Sequence, residues 1–355
     1  MSVGSTELTR ERRRPLRRRR ERAGSVHFVV PEGIDDATCP SGGNTYDRRV
    51  CRGLASHGWT VHTNEVTDDA ALAAVLARLP DGALVLLDGL VASPAPHVLV
   101  PEAERLRLVV LVHMPLADER ERAVLSAATA VVTTSDWTRR ALLQLYDLAA
   151  DRLRVAEPGV GRAELAPGTA DGGALLSVAA VIPGKGHDVL VDALALLRRG
   201  GWQCLCVGSL ERDRVFAAAV RDRVADGGLD ILFTGPQTGD ELGRSYREAD
   251  VLVLPSRGET YGMVVTEALA RGLPVVAADV GGVPEALGHG GGARPGLLVP
   301  PDDPAALAGA LRAWLDDERL RDRLRRAARA RRAALPAWSQ TTSAVAGALA
   351  GAARP

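Results

Sequence analysis

Short apolar runs rich in β-branched residues alternate with stretches of helical spacing from residue 25 onward. SVHFVV (25–30) reads as a buried strand. A loop rich in Gly, Pro and Asp follows and runs into PSGGNTYDRRVCRGLASHG, whose later half has helical spacing at Val50, Leu54 and Ala55. TVHT reads as a strand, and DDAALAAVLARL as a helix whose first-turn acids complement the exposed N–H groups there. ALVLLDG and LRLVVLVH are further strands, and AVVTTSDWTRRALLQLY is a strand, a Ser/Asp cap and a helix. The rhythm then stops at VAEPGVGRAELAPGTADGG (155–173), which has no periodicity and reads as a linker.

The alternation restarts with strand ALLSVAA, a helix from His187, strand QCLCVG, a helix after Glu211, strand DILFTG and helix GDELGRSYREA. Strand DVLVLP, helix GMVVTEALARG, strand PVVAA and strand GLLVP complete the series. DPAALAGALRAWLDDERLRDRLRRAARARRAAL then reads as one long amphipathic helical region, its arginines on a solvated face. Strands alternating with helices predict parallel sheets covered on both sides. The expected fold class is α/β, with two doubly wound Rossmann-like domains facing across a ligand cleft. Their bounds are residues 25–157 and 173–335, joined by a linker at 158–172 and followed by a helix or tail at 336–355.

Composition adds three points. Apolar residues make up 46% of the 355-residue chain, so it fills real cores, but aromatics are only 3%, so those cores are built from Ala, Val and Leu. Net charge is zero yet unevenly placed: TRERRRPLRRRRERAG lies within an Arg-rich arm at 1–24. Such an arm can bind nucleic acid or an anionic membrane surface, but a solvated disordered tail is the plainer reading, which leaves peripheral membrane association open and predicts no specific nucleic acid. No apolar segment follows the arm as in a secretory signal, and no apolar run is long enough to span a bilayer. Cys204 and Cys206 alternate on one strand face without partners at metal-ligand spacing, which suits core packing and a reducing cytoplasm. Finally, Lys185 in VIPGKGHD is the sole lysine; arginine-biased coding accounts for its rarity but not for its place between two glycines.

PSRGETYGMVVTEALARGLPVV (255–276) carries the candidate chemistry. A buried strand ends at Pro255, a loop bears Glu259, and a helix begins near Gly262, where free N–H groups suit an anionic ligand and glycine admits its close approach. Glu267 lies roughly 7–8 Å farther along the helix axis at 1.5 Å per residue, about the distance from a diphosphate to the ribose of one nucleotide. Glu259, before the helix, faces the other way. On these grounds alone the segment is either a nucleotide-sugar site or an ordinary strand–loop–helix turn with two surface glutamates.

This segment, with GGVPE and GLLVPPDDPAALAGAL after it, resembles the E-x7-E region of the retaining GT-B glycosyltransferases of family 4. The resemblance runs through the C-terminal half, from LLSVAAVIPGKGHDVLVDALALL through LFTG and YREADVLVLPSRGETYG. PSGGNTYDRRVCRGLASHGW, LVHMPL and VVTTSDWTRRAL extend it more weakly into the N-terminal half. It implies transfer of a hexose from a nucleotide diphosphate sugar to an acceptor hydroxyl or amine, with retention and no cofactor. By the same resemblance Lys185 neutralises the donor diphosphate, Gly42 and Gly43 form an N-domain loop facing that diphosphate or the acceptor, and His113 lies at the reaction centre near the transferred sugar. Glu259 with the Gly262–Met263 backbone holds the sugar, and Glu267 holds the ribose. The catalytic set is then His113, Glu259 and Lys185.

The chain has no Asp-x-Asp pair to hold a metal against the diphosphate, so the expectation is a metal-independent site built on fixed cations. Two departures from the family pattern stand out. Ala180 occupies the place of a usual arginine, for which Arg257 or Arg212 are the candidate substitutes, and EPGV (157–160) replaces an Asn-Gly-Val linker. The base is expected near Gly235–Thr238. PGKG is not a P-loop, because Gly follows Lys185, and no G-x-G-x-x-G follows the first strand. A nucleotide-sugar epimerase on a related fold and a weakly catalytic sugar-nucleotide-binding protein are the competing readings.

Overall fold

The computed structural model describes residues 24–36, 40–197 and 200–354. The arginines of the N-terminal arm lie outside the described residues. In the N-terminal half, strands β1 (Ser25–Pro31), β2 (Thr60–Val66), β3 (Leu84–Asp88), β4 (Arg107–Val112), β5 (Ala130–Thr133) and β6 (Leu153–Val155) form one parallel sheet in the order β2-β1-β3-β4-β5-β6. Helices α1 (Gly42–Leu54), α2 (Asp69–Leu76), α3 (Gly89–Ala92), α4 (Pro96–Glu102), α5 (Glu119–Ala127) and α6 (Asp136–Leu145) connect them. Successive strand residues point to opposite faces, so Val26, Phe28 and Val30 enter one core while Val29 enters the other.

The second sheet holds β7 (Ala174–Val178), β8 (Gln203–Val207), β9 (Ile231–Gly235), β10 (Val251–Leu254), β11 (Val275–Ala278) and β12 (Gly296–Val299), in the order β12-β11-β10-β7-β8-β9. Its helices are α7 (His187–Ala195), α8 (Arg214–Gly227), α9 (Gly239–Glu248), α10 (Met263–Leu269), α11 (Val283–Leu287), α12 (Pro304–Asp316) and α13 (Glu318–Arg332). Cys204 and Cys206 are buried in one core with Val251 and Val253, as packing residues. The fold class is that expected from the alternation: two doubly wound parallel α/β sheets.

The last helix, α14 (Trp338–Ala352), leaves the second sheet and packs on α1 and the first sheet. Val345, Leu349 and Ala352 are buried there beside Val26, Phe28 and Leu54. Arg107 fixes its end by donating to the carbonyls of Ala352 and Arg354, at 3.1 and 2.5 Å. At the crossing, Thr341 donates to the carbonyl of Glu157 (2.7 Å), and Val160 N–H to the carbonyl of Pro336 (2.9 Å).

Two expectations need correction. The long C-terminal helical region is two helices, because Asp317 takes extended backbone (φ −109°, ψ 97°) and its carboxylate accepts the N–H of Leu320 to start α13. Nor are all its arginines solvated. Arg321 donates to the carbonyls of Trp314 and Leu315, Arg325 pairs with buried Asp250, and Arg332 donates to the carbonyl of Ala163. Asp250 also accepts from Thr169 N–H and hydroxyl and from Ala174 N–H, which pins the linker to the second domain.

His187, the first residue of α7, is 1% exposed and neither ring nitrogen has a partner among the described residues. Burial drives its pKa from 6.5 down to about 4, against Asp188 and with help from the charge of Lys185. The unfolded chain therefore takes up this proton at a higher pH than the fold does. Its stability contribution is full above pH 6.5 and is lost as pH falls to about 4, in total roughly 3 kcal/mol. We predict that His187→Leu flattens the acid limb of stability over that window, read by urea unfolding; an unchanged limb would refute the assignment.

Candidate active site at the interdomain cleft

In each sheet the strand order reverses beside its first strand, between β1 and β3 and between β7 and β10. Ligands of such sheets bind beyond the C-terminal strand ends at these reversals. Segments that follow these strands line one cleft of about 400 Å³ between the two halves. Gly42, Gly43 and His113 come from the first domain, and Lys185, Glu259, Gly262, Met263 and Glu267 from the second; all line it. The structure thus gathers these eight sequence-predicted residues in one place.

Lys185 ends a single 3-10 turn after β7 and Glu259 follows β10, and the reversal brings them together. Lys185 Nζ donates to Glu259 Oε1 at 2.7 Å, and Ser256 Oγ donates to the same oxygen at 2.8 Å. Glu259 is further held from behind, where Gly282 N–H donates to its carbonyl at 2.9 Å. Gly262 caps α10 with φ 89° and ψ 64°, a left-handed conformation that glycine enters without a Cβ penalty. One turn into α10, Glu267 Oε2 accepts from the Tyr246 hydroxyl at 2.9 Å. Burial raises the Glu267 pKa, opposed by that hydrogen bond and by the charges of Arg271 and Arg49.

Gly42 and Gly43 form the first turn of α1 rather than a loop, because Ser41 Oγ accepts the N–H of Asn44 (3.0 Å) and caps the helix at that point. A Cβ on Gly42 would sit 3.4 Å from Met263 Sδ, so α1 begins directly against the opposite wall of the cleft. Gly43 packs on the imidazole of His113, with the nearest ring atom 3.6 Å from a Cβ placed there.

His113 follows β4. Its Nε2 lies 2.8 Å from Asp47 Oδ1 and 3.7 Å from Asp88 Oδ2, and the Tyr46 ring meets it edge-on at 5.2 Å. Burial by itself would lower the His113 pKa, but Asp47, by charge and hydrogen bond, and then Asp88 raise it to about 9. Burial lifts Asp88 to about 7, with the His113 charge opposing and Asp47 adding to the rise. Donor atoms of Asp47, Asp88 and His113 all lie within 4.8 Å of one another, so these three are also the residues able to hold a metal ion among those described. The turn after His113 is braced by buried Glu121, whose Oε2 accepts the N–H groups of Leu116 and Ala117 and the Tyr146 hydroxyl.

Other expectations fare differently. Arg257 does not face the cleft. Its guanidinium binds Asp188 through two bonds (3.0 and 2.9 Å) and Asp302 at 2.5 Å, so it braces the glycine turn bearing Lys185 from outside. Arg212 does line the cleft, together with Ala180. Of the expected base pocket, Pro236 and Gln237 line it. Pro158 of EPGV does too, so that stretch belongs to the cleft wall and not merely to the linker.

Asp47, Asp88, Ser256 and Glu285 were not anticipated. Glu285, from GGVPE, reaches the other domain, accepting the N–H groups of Asp136 (2.8 Å) and Trp137 (3.0 Å) at the start of α6. Ser135 Oγ answers from the other side by donating to the carbonyl of Thr260 at 2.6 Å. The loop bearing Glu259 and helix α11 behind it are thus each tied across the cleft, by Ser135 and by the start of α6. Asp47 did leave a signal, since it stands one helical turn past Gly43.

Comparison with known proteins agrees with this geometry. Residues 173–317 match the family model described as Glycosyl transferases group 1. D-inositol 3-phosphate glycosyltransferase of Jonesia denitrificans is 34% identical over 245 residues, covering 63% of this chain and 57% of that protein. The chain spans about half the length of the curated relatives it matches. Among solved structures, Alr3699/HepE of Anabaena in complex with UDP-glucose superposes with a TM-score of 0.73 at 18% identity, over 92% of this chain and 99% of that one. Sucrose-phosphate synthase of Thermosynechococcus elongatus gives 0.71 at 22% identity, over 90% and 96%. Residues 173–317 are therefore similar to the glycosyl transferases group 1 domain, and the two-domain fold is that of the GT-B proteins.

Proposed function

We propose that the protein is a retaining, metal-independent glycosyltransferase of family 4 that moves a hexose from a nucleotide diphosphate sugar to an acceptor hydroxyl or amine. The observation that carries this reading is the Lys185–Glu259 pair at the β7/β10 reversal, opening on the same cleft as His113. Transfer needs a stabilised diphosphate leaving group, and Lys185 supplies a compact fixed charge for it. As the donor enters, Lys185 turns from Glu259 to the diphosphate, and Glu259 is released to accept from sugar hydroxyls. Glu267 accepts from the ribose hydroxyls, its unused Oε1 being free of the Tyr246 bond. Arg212 adds a second cation beside Ala180. Retention is carried over from the family resemblance. The free thiols Cys204 and Cys206 suit a cytoplasmic location, and among the described residues no helix is long and apolar enough to cross a membrane.

A thermal-shift and calorimetric panel of UDP-, GDP- and ADP-sugars tests the donor, with D-inositol 3-phosphate as the first acceptor because of the relatives' name. Binding of one nucleotide sugar, and an unchanged anomeric configuration in the NMR spectrum of the product, are expected. A folded protein that binds none of the panel would sink the proposal.

A further inference from the structure

Behind His113 stand two carboxylates from two other elements, Asp47 on α1 and Asp88 at the end of β3, with side chains 0% and 2% exposed. Burying two acids side by side is costly unless something pairs them. Each is aimed at Nε2 of His113, and Asp88 Oδ1 is otherwise committed to the N–H of Leu90 at 2.6 Å. Asp47 Oδ2 is buried without a partner among the described residues, so the carboxylate is held for what Oδ1 does. Tyr46 points its hydroxyl away, to the carbonyl of Ala156 at 2.8 Å, and touches the imidazole only with its ring. Gly43 packs on the same ring. On the other wall, Lys185 and Glu259 satisfy each other. With Nε2 occupied, Nδ1 is the ring nitrogen left for a ligand in the cleft that His113 lines.

We propose that Asp47 is a positioning residue: with Asp88 behind it, it holds Nε2 of His113 so that Nδ1 faces the bound sugar and hydrogen-bonds to it. This rests on the function proposed above.

The test uses the full chain, with Asp47→Asn, His113→Gln and the double variant. Calorimetry compares UDP-, GDP- and ADP-glucose with UDP, GDP and ADP, which lack the sugar. Asp47→Asn is expected to weaken the preferred nucleotide sugar about tenfold and leave its nucleoside diphosphate unchanged, a split that general damage to the fold would not produce. The double variant is expected to lose no more than His113→Gln alone. By imidazole ¹⁵N NMR, with the His113 signal identified by its loss in His113→Gln, Asp47→Asn is expected to lower the His113 titration by roughly one pH unit or more.

Equal weakening of sugar and sugar-free nucleotides overturns the proposal. So does an Asp47→Asn protein with unchanged affinities and titration. Mn²⁺ held by the wild type and lost from Asp47→Asn also overturns it, since Nε2 would then be a metal ligand. A wild type that binds no nucleotide removes the proposed function and this proposal with it, whereas wild-type binding with an unresponsive Asp47→Asn removes this proposal alone.

Discussion

Lys185→Ala is expected to lower turnover of the nucleotide sugar by about 10²–10³-fold, the usual cost of losing one fixed group that meets developing charge on a leaving group. The fold should survive. The lysine is 29% exposed, and partly exposed ion pairs of this kind contribute at most about 1 kcal/mol, so the melting temperature should hardly move. A second effect sharpens the outcome. Removing Lys185 leaves Glu259 with only the Ser256 hydroxyl, and an unpaired carboxylate then faces an incoming diphosphate. Donor affinity falls through repulsion as well as through lost attraction. Lys185→Ala with Glu259→Ala should therefore bind the nucleoside diphosphate better than Lys185→Ala alone, although turnover stays low. Calorimetry with the nucleoside diphosphate and steady-state rates separate the two effects, and a single variant that binds and turns over normally would exclude Lys185 from the leaving-group site.

Gly281→Ala is expected to be the more damaging change to structure. Gly281 has φ 54°, and a Cβ there would run into the carbonyl oxygen of Glu259. The obstacle is backbone, which cannot rotate aside as a side chain can. Relief requires the loop carrying Glu259 to move, and that loop also holds the Thr260 carbonyl bonded by Ser135 of the other domain. We predict a loss on the order of 3 kcal/mol from strain and displaced packing, together with loss of nucleotide-sugar binding. Gly292→Ala is the control: it also has positive φ (81°), but nothing lies within 4 Å of its Cβ, so binding should be retained. If Gly281→Ala binds donor normally, the loop is less tightly fitted than its contacts indicate.

Three of the residues legible in the sequence share one property: they sit where a parallel sheet delivers ligands, at or just past the ends of apolar runs. Lys185 after ALLSVAA, Glu259 after DVLVLP and His113 at the end of LRLVVLVH are all of this kind. Asp88 is too, but its meaning comes from His113, which follows the neighbouring strand. Asp47 resembled any polar residue on a helix, since its partner is 66 residues away. Arg257 misled for the opposite reason. It occupies a loop that faces the cleft, yet its long side chain turns outward to Asp188 and Asp302.

Helices α3 and α4 escaped because they are short and α4 contains Pro101, and α5 because its first four residues are all charged and show no apolar spacing. The Asp118-x-x-Glu121 cap of α5 was nevertheless present in the sequence. The break at Asp317 did leave a signal: on one continuous helix of 3.6 residues per turn, Leu320 and Leu324 would fall on a different face from Leu307, Leu311 and Trp314. None of these omissions disturbs the fold class, which the alternation of strands and helices carries on its own.

The return of α14 to the first sheet sets the order in which the molecule is assembled. Domains usually complete from the N-terminus as the chain is made. Here the core around Val26 and Phe28 lacks Val345 and Leu349 until nearly the whole chain has been synthesised. The second sheet and its helices, which end at Arg332, have every strand available earlier. On the ribosome the domain begun first is therefore the one finished last, and one face of its sheet awaits α14 while the second domain closes.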